Sequence, residues 1–406
     1  MNLPLWIARR YFFSKQKRSF INLISLVSML GVGVGTMALV VVLSVFNGME
    51  ELNRTIFRTF EADLTIAPRE GKRLTVTPKL LQTVRQTEGV GLVTPVIEDH
   101  ALARYRDGQT VINLKGVDST YLKRGQMDTT LTEGKLKLQE DGLNYALVAQ
   151  GVRNALLISP EDVLTPLELW YPQNRKSFSV LSEDAFNRAN LVVSGVFFIE
   201  QNFDDYVIAP LDVVRELVGY GPDQVTSLEL QTKPGSDIAG MKQALQRELG
   251  QTALVQDRDD LNTDLFRAIR IEKLFVTMTL SFLVLIASIN IFFSLSMLAI
   301  EKKSDMSILY AMGATPALVR RIFLMEGTLV ALSGAAIGLI LGVTLCFLQE
   351  RYGLVSMGMK SSIVDAYPVK LRATDLIVTS FIVIIVTIIV SWFPAQRAAN
   401  QLRAVS

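Results

Sequence analysis

The sequence predicts an α-helical membrane protein with four transmembrane helices and a large mixed α+β extracytoplasmic domain. Four runs carry no charged residue, at 19–49, 274–300, 327–349 and 376–396, and each reaches the roughly 20 residues that cross a bilayer as a helix. Between the first two runs lie residues 50–273, where strand-like stretches (63–67, 110–117, 146–148, 192–198, 206–209) alternate with helical ones. With half of its 406 residues apolar, the chain is too greasy for four such runs to be buried helices of a soluble protein.

In order, residues 1–18 combine Leu5, Trp6, Ile7, Phe12 and Phe13 with Arg9 and Arg10, the makeup of an interfacial amphipathic helix or a basic flank with aromatic anchors. The first span, 19–49, is about twice the length of a signal-peptide core, has no small-x-small cleavage pattern before Gly48, and is therefore a retained anchor. The domain at 50–273 divides into a discontinuous portion (50–112 and 223–270) and an insert (113–222), separated by the punctuation of Gly221, Pro222, Pro234 and Gly235. Span two covers 274–300, a coupling segment 301–321, span three 322–349, a short outer loop 350–375, span four 376–396 and a tail 397–406.

Orientation follows from basic residues in short loops. Arg9, Arg10, Lys15, Lys17 and Arg18 precede span one, and Lys302, Lys303, Arg320 and Arg321 join spans two and three, so both ends and the coupling segment are expected in the cytoplasm. Arg351, Lys360, Lys370 and Arg372 in the outer loop count against this and are outnumbered. Gly334, Gly338 and Gly342, like Gly31 and Gly35, recur every fourth residue and allow close helix approach, either within one subunit or between two.

Several classes of chemistry are excluded. His100 is the sole histidine, Cys346 the sole cysteine, and no glycine-rich loop ending in Gly-Lys-Ser/Thr is present to cradle a nucleotide. No cofactor is expected on this chain. Asp257, Asp259 and Asp260, with Asp204 and Asp205, lack a calcium-loop pattern and are expected to be turn charges. With no charge expected inside the four spans, the ion relays of secondary transporters are missing too. The net charge of +2 and the absence of a binding module argue against nucleic acid.

The segment 301–327 is a short amphipathic helix between two spans. Ile308, Leu309 and Met312 recur at helical spacing, Gly313 supplies a left-handed stop, and Thr315 caps a helix that starts at Pro316. Glu301, Lys302, Asp305, Met306, Leu309, Met312, Gly313 and Ala314 resemble the coupling segment of the lipoprotein-releasing (LolC/LolE), macrolide-efflux (MacB) and cell-division (FtsX) permeases, with Met306 in place of the usual isoleucine. Val42-Leu43-Ser44-Val45-Phe46-Asn47-Gly48-Met49-Glu50 is similar to the exit of span one in the lipoprotein-releasing members, and Pro394, Ala395, Arg397 and Ala398 to the family's ending.

The resemblance implies a permease dimer, of identical or paralogous subunits, bound to a cytoplasmic LolD-like ATPase that uses ATP and Mg2+, with a MacB-like external domain in which 50–112 and 223–270 are the porter portion and 113–222 a sabre-like insert. The expected cargo is a triacylated lipoprotein, handed to a periplasmic LolA-like carrier. MacB-like efflux of a drug or peptide, and FtsX-like control of a cell-wall hydrolase, are the alternatives. Glu301, Lys302, Asp305, Ile308, Leu309, Met312 and Gly313 are the expected ATPase-coupling residues. Val45, Phe46 and Met49 at the outer end of span one, facing Phe275, Met278 and Phe282 of span two, are expected to line an acyl-chain cavity, with ordinary membrane-lipid contact as the alternative. Trp170, Tyr171, Pro172, Arg175 and Lys176 form a candidate carrier-binding hairpin, with a plain hairpin tip as the alternative.

Overall fold

A computed structural model describes residues 3–12, 20–124, 127–173, 185–357 and 366–400. The chain opens with α1 (Leu3–Phe12) and α2 (Phe20–Phe60), followed by β1 (Leu64–Pro68), β2 (Leu74–Thr75), α3 (Pro78–Gln86), β3 (Val90–Tyr105), β4 (Gly108–Val117) and α4 (Ser119–Leu122). Next come β5 (Leu131–Gly134), β6 (Gln139–Glu140), β7 (Leu143–Ala149), α5 (Gln150–Leu156), β8 (Leu167–Pro172), β9 (Phe186–Phe197), β10 (Tyr206–Pro210) and α6 (Leu211–Val218). The rest is β11 (Gln224–Val225), β12 (Ser227–Thr232), α7 (Ile238–Leu249), β13 (Ala253–Asp257), α8 (Arg258–Leu261), α9 (Thr263–Glu301), α10 (Lys303–Ala311), α11 (Pro316–Tyr352) and α12 (Ala373–Asn400).

Two compact units result, one holding residues 53–264 and the other the remaining helices. In the first, the strands run in the order β13, β1, β12, β3, β4, β10, β7, β9, β5. Strand β8 pairs with both β3 (Leu102↔Trp170) and β9 (Leu169↔Ala189), so β3, β4, β10, β7, β9 and β8 close into a ring. Closure satisfies strand edges that would otherwise stay open. Helix α6 packs against β3, β4, β8, β9 and β10 and plugs this ring with Val214 and Leu217. It comes so close that a Cβ on Gly116 would lie 2.6 Å from Val214. Alternate residues of the ring strands, such as Ala146 and Val148, Leu167 and Leu169, and Val207 and Ala209, are buried in this core. The boundary expected at residues 112 and 113 falls inside β4, and the strand common to the ring and the β13–β1–β12–β3 portion is β3.

The opposite side of β4 and β12 holds a buried charge cluster. Lys115 Nζ lies 2.7 Å from Glu229, whose other oxygen accepts from Arg124 at 2.7 Å, and Phe60 and Tyr121 cover the ammonium at 4.5 and 5.5 Å. Burial alone would raise the Glu229 carboxyl, but Lys115 and Arg124 hold it below its ordinary value. Lys115 also lies 3.7 Å from Glu98, so two cations face two carboxylates and the cluster can persist.

In the helical unit, α2, α9, α11 and α12 are each long and apolar enough to cross a membrane. The glycines decide how they pack. A Cβ on Gly334 would sit 2.3 Å from the Met29 carbonyl, and one on Gly338 2.2 Å from that of Gly33, so α11 lies backbone to backbone on α2. Gly31 and Gly35 instead face Ala287 and Val284 of α9, and Ser25 and Ser294 join the same pair at 2.6 Å. The glycine repeats therefore serve packing within one subunit. On α12 every fourth residue, Thr379, Val383, Thr387, Ser391 and Ala395, is buried, and the helix packs along α11. One expectation fails here: Glu326 lies inside α11 and is 6% exposed, so the bundle does contain an ionisable group.

Candidate functional site

The site of interest is the two ends of the helical unit. At one end α9 stops at Glu301, Lys302 forms the junction, and α10 follows at once. Lys302 Nζ lies 3.4 Å from Asp305. Met306 turns inward and is 3% exposed, whereas Ile308 and Met312, one helical turn apart, are 59% and 70% exposed, with Leu309 half-buried between them. Gly313 has φ +90°, the left-handed stop, and its amide donates to the Tyr310 carbonyl at 2.8 Å. Thr315 then caps α11 by accepting from the Leu318 amide at 3.3 Å, with Pro316 in the first turn. The outcome is an elbow that presents an apolar pair, Ile308 and Met312, away from the bundle.

At the other end, three helices are tied by polar groups. Asn47 of α2 is fully buried. Its amide nitrogen donates to Asp375 of α12 at 2.6 Å and to the Lys370 carbonyl at 3.2 Å, while its oxygen accepts from Lys273 of α9 at 2.8 Å. Lys273 and Asp375 pair at 3.1 Å. Arg372 pairs with Glu50 at 3.1 Å, Lys370 with Glu51 at 3.2 Å, and the Lys370 amide donates to the Ser44 carbonyl at 2.9 Å. A Cβ on Gly48 would lie 2.3 Å from the Pro368 carbonyl. The Asn47-Gly48 pair singled out in the sequence is thus the seat for the segment that leads into α12. Lys273 and Asp375 were missed because each looks like an ordinary boundary charge until their helices meet. Lys370 and Arg372, which count against the expected orientation, are both ion-paired.

The remaining expected residues are only partly brought together. Phe275, Met278 and Phe282 lie on one exposed stripe of α9, at 63%, 60% and 62%. At 100° per residue this stripe is turned away from Val284 and Ala287, the residues that meet α2, so it does not face Val45, Phe46 and Met49 within one chain. Those three are half-buried on α2. In the strand unit, Trp170 and Tyr171 are not an exposed tip. Trp170 is 9% exposed, stacked under Arg188 at 4.0 Å and bonded through Nε1 to Glu168 at 3.0 Å, and the Tyr171 hydroxyl donates to Asp99 at 2.9 Å. Pro172 ends β8, paired with Phe186, and Arg175 and Lys176 lie outside the described residues. Asp257 and Asp260 form a capping box on α8 and both bind Lys242, while Asp259 pairs with Arg54. His100 lies exposed on β3.

Residues 25–248 match the MacB-like periplasmic core domain, more than half of the chain, and residues 277–402 match the FtsX-like permease C-terminal domain. The chain belongs to the MacB/FtsX permease superfamily. Among its relatives, the lipoprotein-releasing system transmembrane protein LolE of Haemophilus influenzae is 24% identical over 98% of both chains. The lipoprotein-releasing system transmembrane protein LolC of Neisseria meningitidis serogroup B is 24% identical over 98% of this chain and 97% of its own. Among solved structures, the periplasmic region of MacB from Actinobacillus actinomycetemcomitans covers 52% of this permease and 95% of its own chain, at 14% identity and a TM-score of 0.37. The permease is accordingly a membrane protein with a periplasmic domain.

Proposed function

We propose that the permease is the transmembrane subunit of an ATP-driven transporter that releases lipoproteins from the bacterial inner membrane. The observation that carries this reading is that its likeness to lipoprotein-releasing transmembrane proteins runs end to end, 98% of each chain for the Haemophilus protein, rather than over one shared domain. The elbow supplies the rest. With Ile308 and Met312 exposed on a helix joined directly to α9, it is shaped to insert an apolar face into a groove of a separate cytoplasmic LolD-like ATPase, which binds the ATP and Mg2+. In this orientation α10 is cytoplasmic and the strand unit periplasmic, where a LolA-like carrier takes over the cargo.

Phe275, Met278 and Phe282 point away from α2 of their own chain. In a dimer they are free to meet Val45, Phe46 and Met49 of a second permease, identical or paralogous, and so to line a cavity for acyl chains. Photo-crosslinkers at Phe46 and Met278 are expected to capture a triacylated lipoprotein before ATP is added and to lose it when ATP and carrier are supplied. Capture of bulk phospholipid alone, with lipoproteins still exported in cells lacking the protein and its paralogues, would overturn this function in favour of efflux or hydrolase control.

A further inference from the structure

The helical unit has an apolar opening that the function above does not use. Between α11 and α12 lies a groove of 660 Å³, with Leu339 and Val343 of α11 and Leu376 and Ser380 of α12 half-buried along its floor and Ile340 and Phe381 exposed on its lips. That volume is within the roughly 300–1,000 Å³ of small-molecule sites. The hydroxyls of Thr344 and Ser380 are spent within their own helices, donating to the Ile340 carbonyl at 2.7 Å and the Leu376 carbonyl at 2.8 Å. The groove therefore suits an aliphatic chain. It opens on the side of α11 turned away from α2, since Ile340 stands two residues, about 200° of helix, from both Gly338 and Gly342, which meet α2.

Two charges stand at the outer mouth. Glu350 and Arg351 follow Val343 and Thr344 by seven residues, two turns or about 10 Å further along α11, and so continue the same wall to the membrane border. Both are exposed, and among the described residues neither side chain has an ion pair or hydrogen bond. The other charges of this border are taken: Arg372 pairs with Glu50, Lys370 with Glu51 and Lys273 with Asp375. From Arg351 back to Leu339 the helix covers about 18 Å, close to the depth of one leaflet, half of a roughly 30 Å hydrocarbon core. Charge at the border with an apolar trough one leaflet deep beneath it is the outline of a single lipid.

We propose that the α11–α12 groove binds one phospholipid of the outer leaflet whose headgroup carries a primary amine, with its phosphate on Arg351, its ammonium on Glu350 and one acyl chain along the groove. A guanidinium fork fits phosphate oxygens, and a primary ammonium has three N–H bonds to offer a carboxylate where a quaternary choline has none. A purely anionic headgroup would meet Glu350 with like charge. The lipid is held rather than transported, because the groove lies apart from Val45, Phe46, Phe275 and Met278, and the site stands whether or not the protein releases lipoproteins.

The test reconstitutes the full chain in vesicles of equal parts phosphatidylethanolamine and phosphatidylcholine with matched chains, extracts it in mild detergent, and measures the retained lipids by mass spectrometry. Phosphatidylethanolamine is expected to be enriched about tenfold, the worth of one charged hydrogen bond. Glu350→Gln should abolish that preference while keeping a lipid, Arg351→Gln should lose both lipids, and Arg351→Lys should keep them. Ile340→Trp fills the groove from an exposed position where folding is not at stake and should also lose both, whereas Ile389→Trp, exposed on α12 outside the groove, should change nothing. Equal retention of the two lipids by the unmodified protein, or retention undisturbed by Ile340→Trp, would mean ordinary membrane contact and overturn the site. Cross-linking between copies through Phe381→Cys in a Cys346→Ala background would overturn it too, by showing that a second permease covers the groove.

Discussion

Glu61, directly after α2, holds a half-buried carboxyl group. It accepts from the Asn262 amide at 2.8 Å, and its own backbone carbonyl accepts from Arg258 at 3.1 Å. Burial pushes this carboxyl up to about 7, against lowering by Asn262, Lys115 and Arg258. Because the folded state holds the proton more tightly than the unfolded one, this group's contribution to stability is full below about 4.5 and is lost as pH rises to about 7. Between those two values the contribution amounts to about 3 kcal/mol. The thermal midpoint of the intact protein should therefore fall over that interval, and Glu61→Gln should flatten the slope. An equally steep slope in the variant would assign the pH dependence elsewhere. Nothing in the sequence marks Glu61, since its environment is assembled from residues some 200 positions away. The same holds for Asn47, whose motif was visible but whose partners Lys273 and Asp375 were not.

At the scale of elements, helices were legible and their ends were not. The charge pattern ends the first span at residue 49, where Glu50 and Glu51 follow, yet α2 continues to Phe60, and α9 begins at Thr263 rather than at residue 274, where the uncharged run starts. Loss of apolar composition marks where a helix leaves lipid, whereas the helix ends where its backbone loses partners. The elbow was legible almost residue by residue, because its stop and cap rest on local chemistry at Gly313, Thr315 and Pro316. What periodicity left open is which apolar residue points outward, since Leu309 is half-buried and Ile308 is not. Aspartate at both Ile308 and Met312 should weaken co-purification with the ATPase by about tenfold or more, while membrane insertion is unchanged. Undiminished association would place the ATPase contact on another surface.

At the scale of the whole molecule, the mixed character of the strand unit followed from alternating patterns, but the ring did not. Its closure depends on β8 meeting β3 and β9 together, a long-range pairing with no local signature. The orientation of the chain is open to direct measurement. In a Cys346→Ala background, a thiol reagent that does not cross membranes should label Ser236→Cys and leave Ser304→Cys untouched when applied from the periplasmic side. The reverse pattern would invert the topology.

The contact between Gly48 and the Pro368 carbonyl also dictates the sequence of events during synthesis. The first span leaves the ribosome with Asn47 and a bare glycine at its border, and their seat arrives only after α11 has been made. Until the last helix enters the bilayer, Lys273 lacks Asp375 as well, so the border of the nascent bundle carries exposed polar groups. A chain interrupted after Tyr352 therefore has every residue of its first three spans and none of the closure that holds their ends. The final span is thus the part that completes the border, and a chain without it leaves Asn47 and Lys273 short of the carboxylate they share.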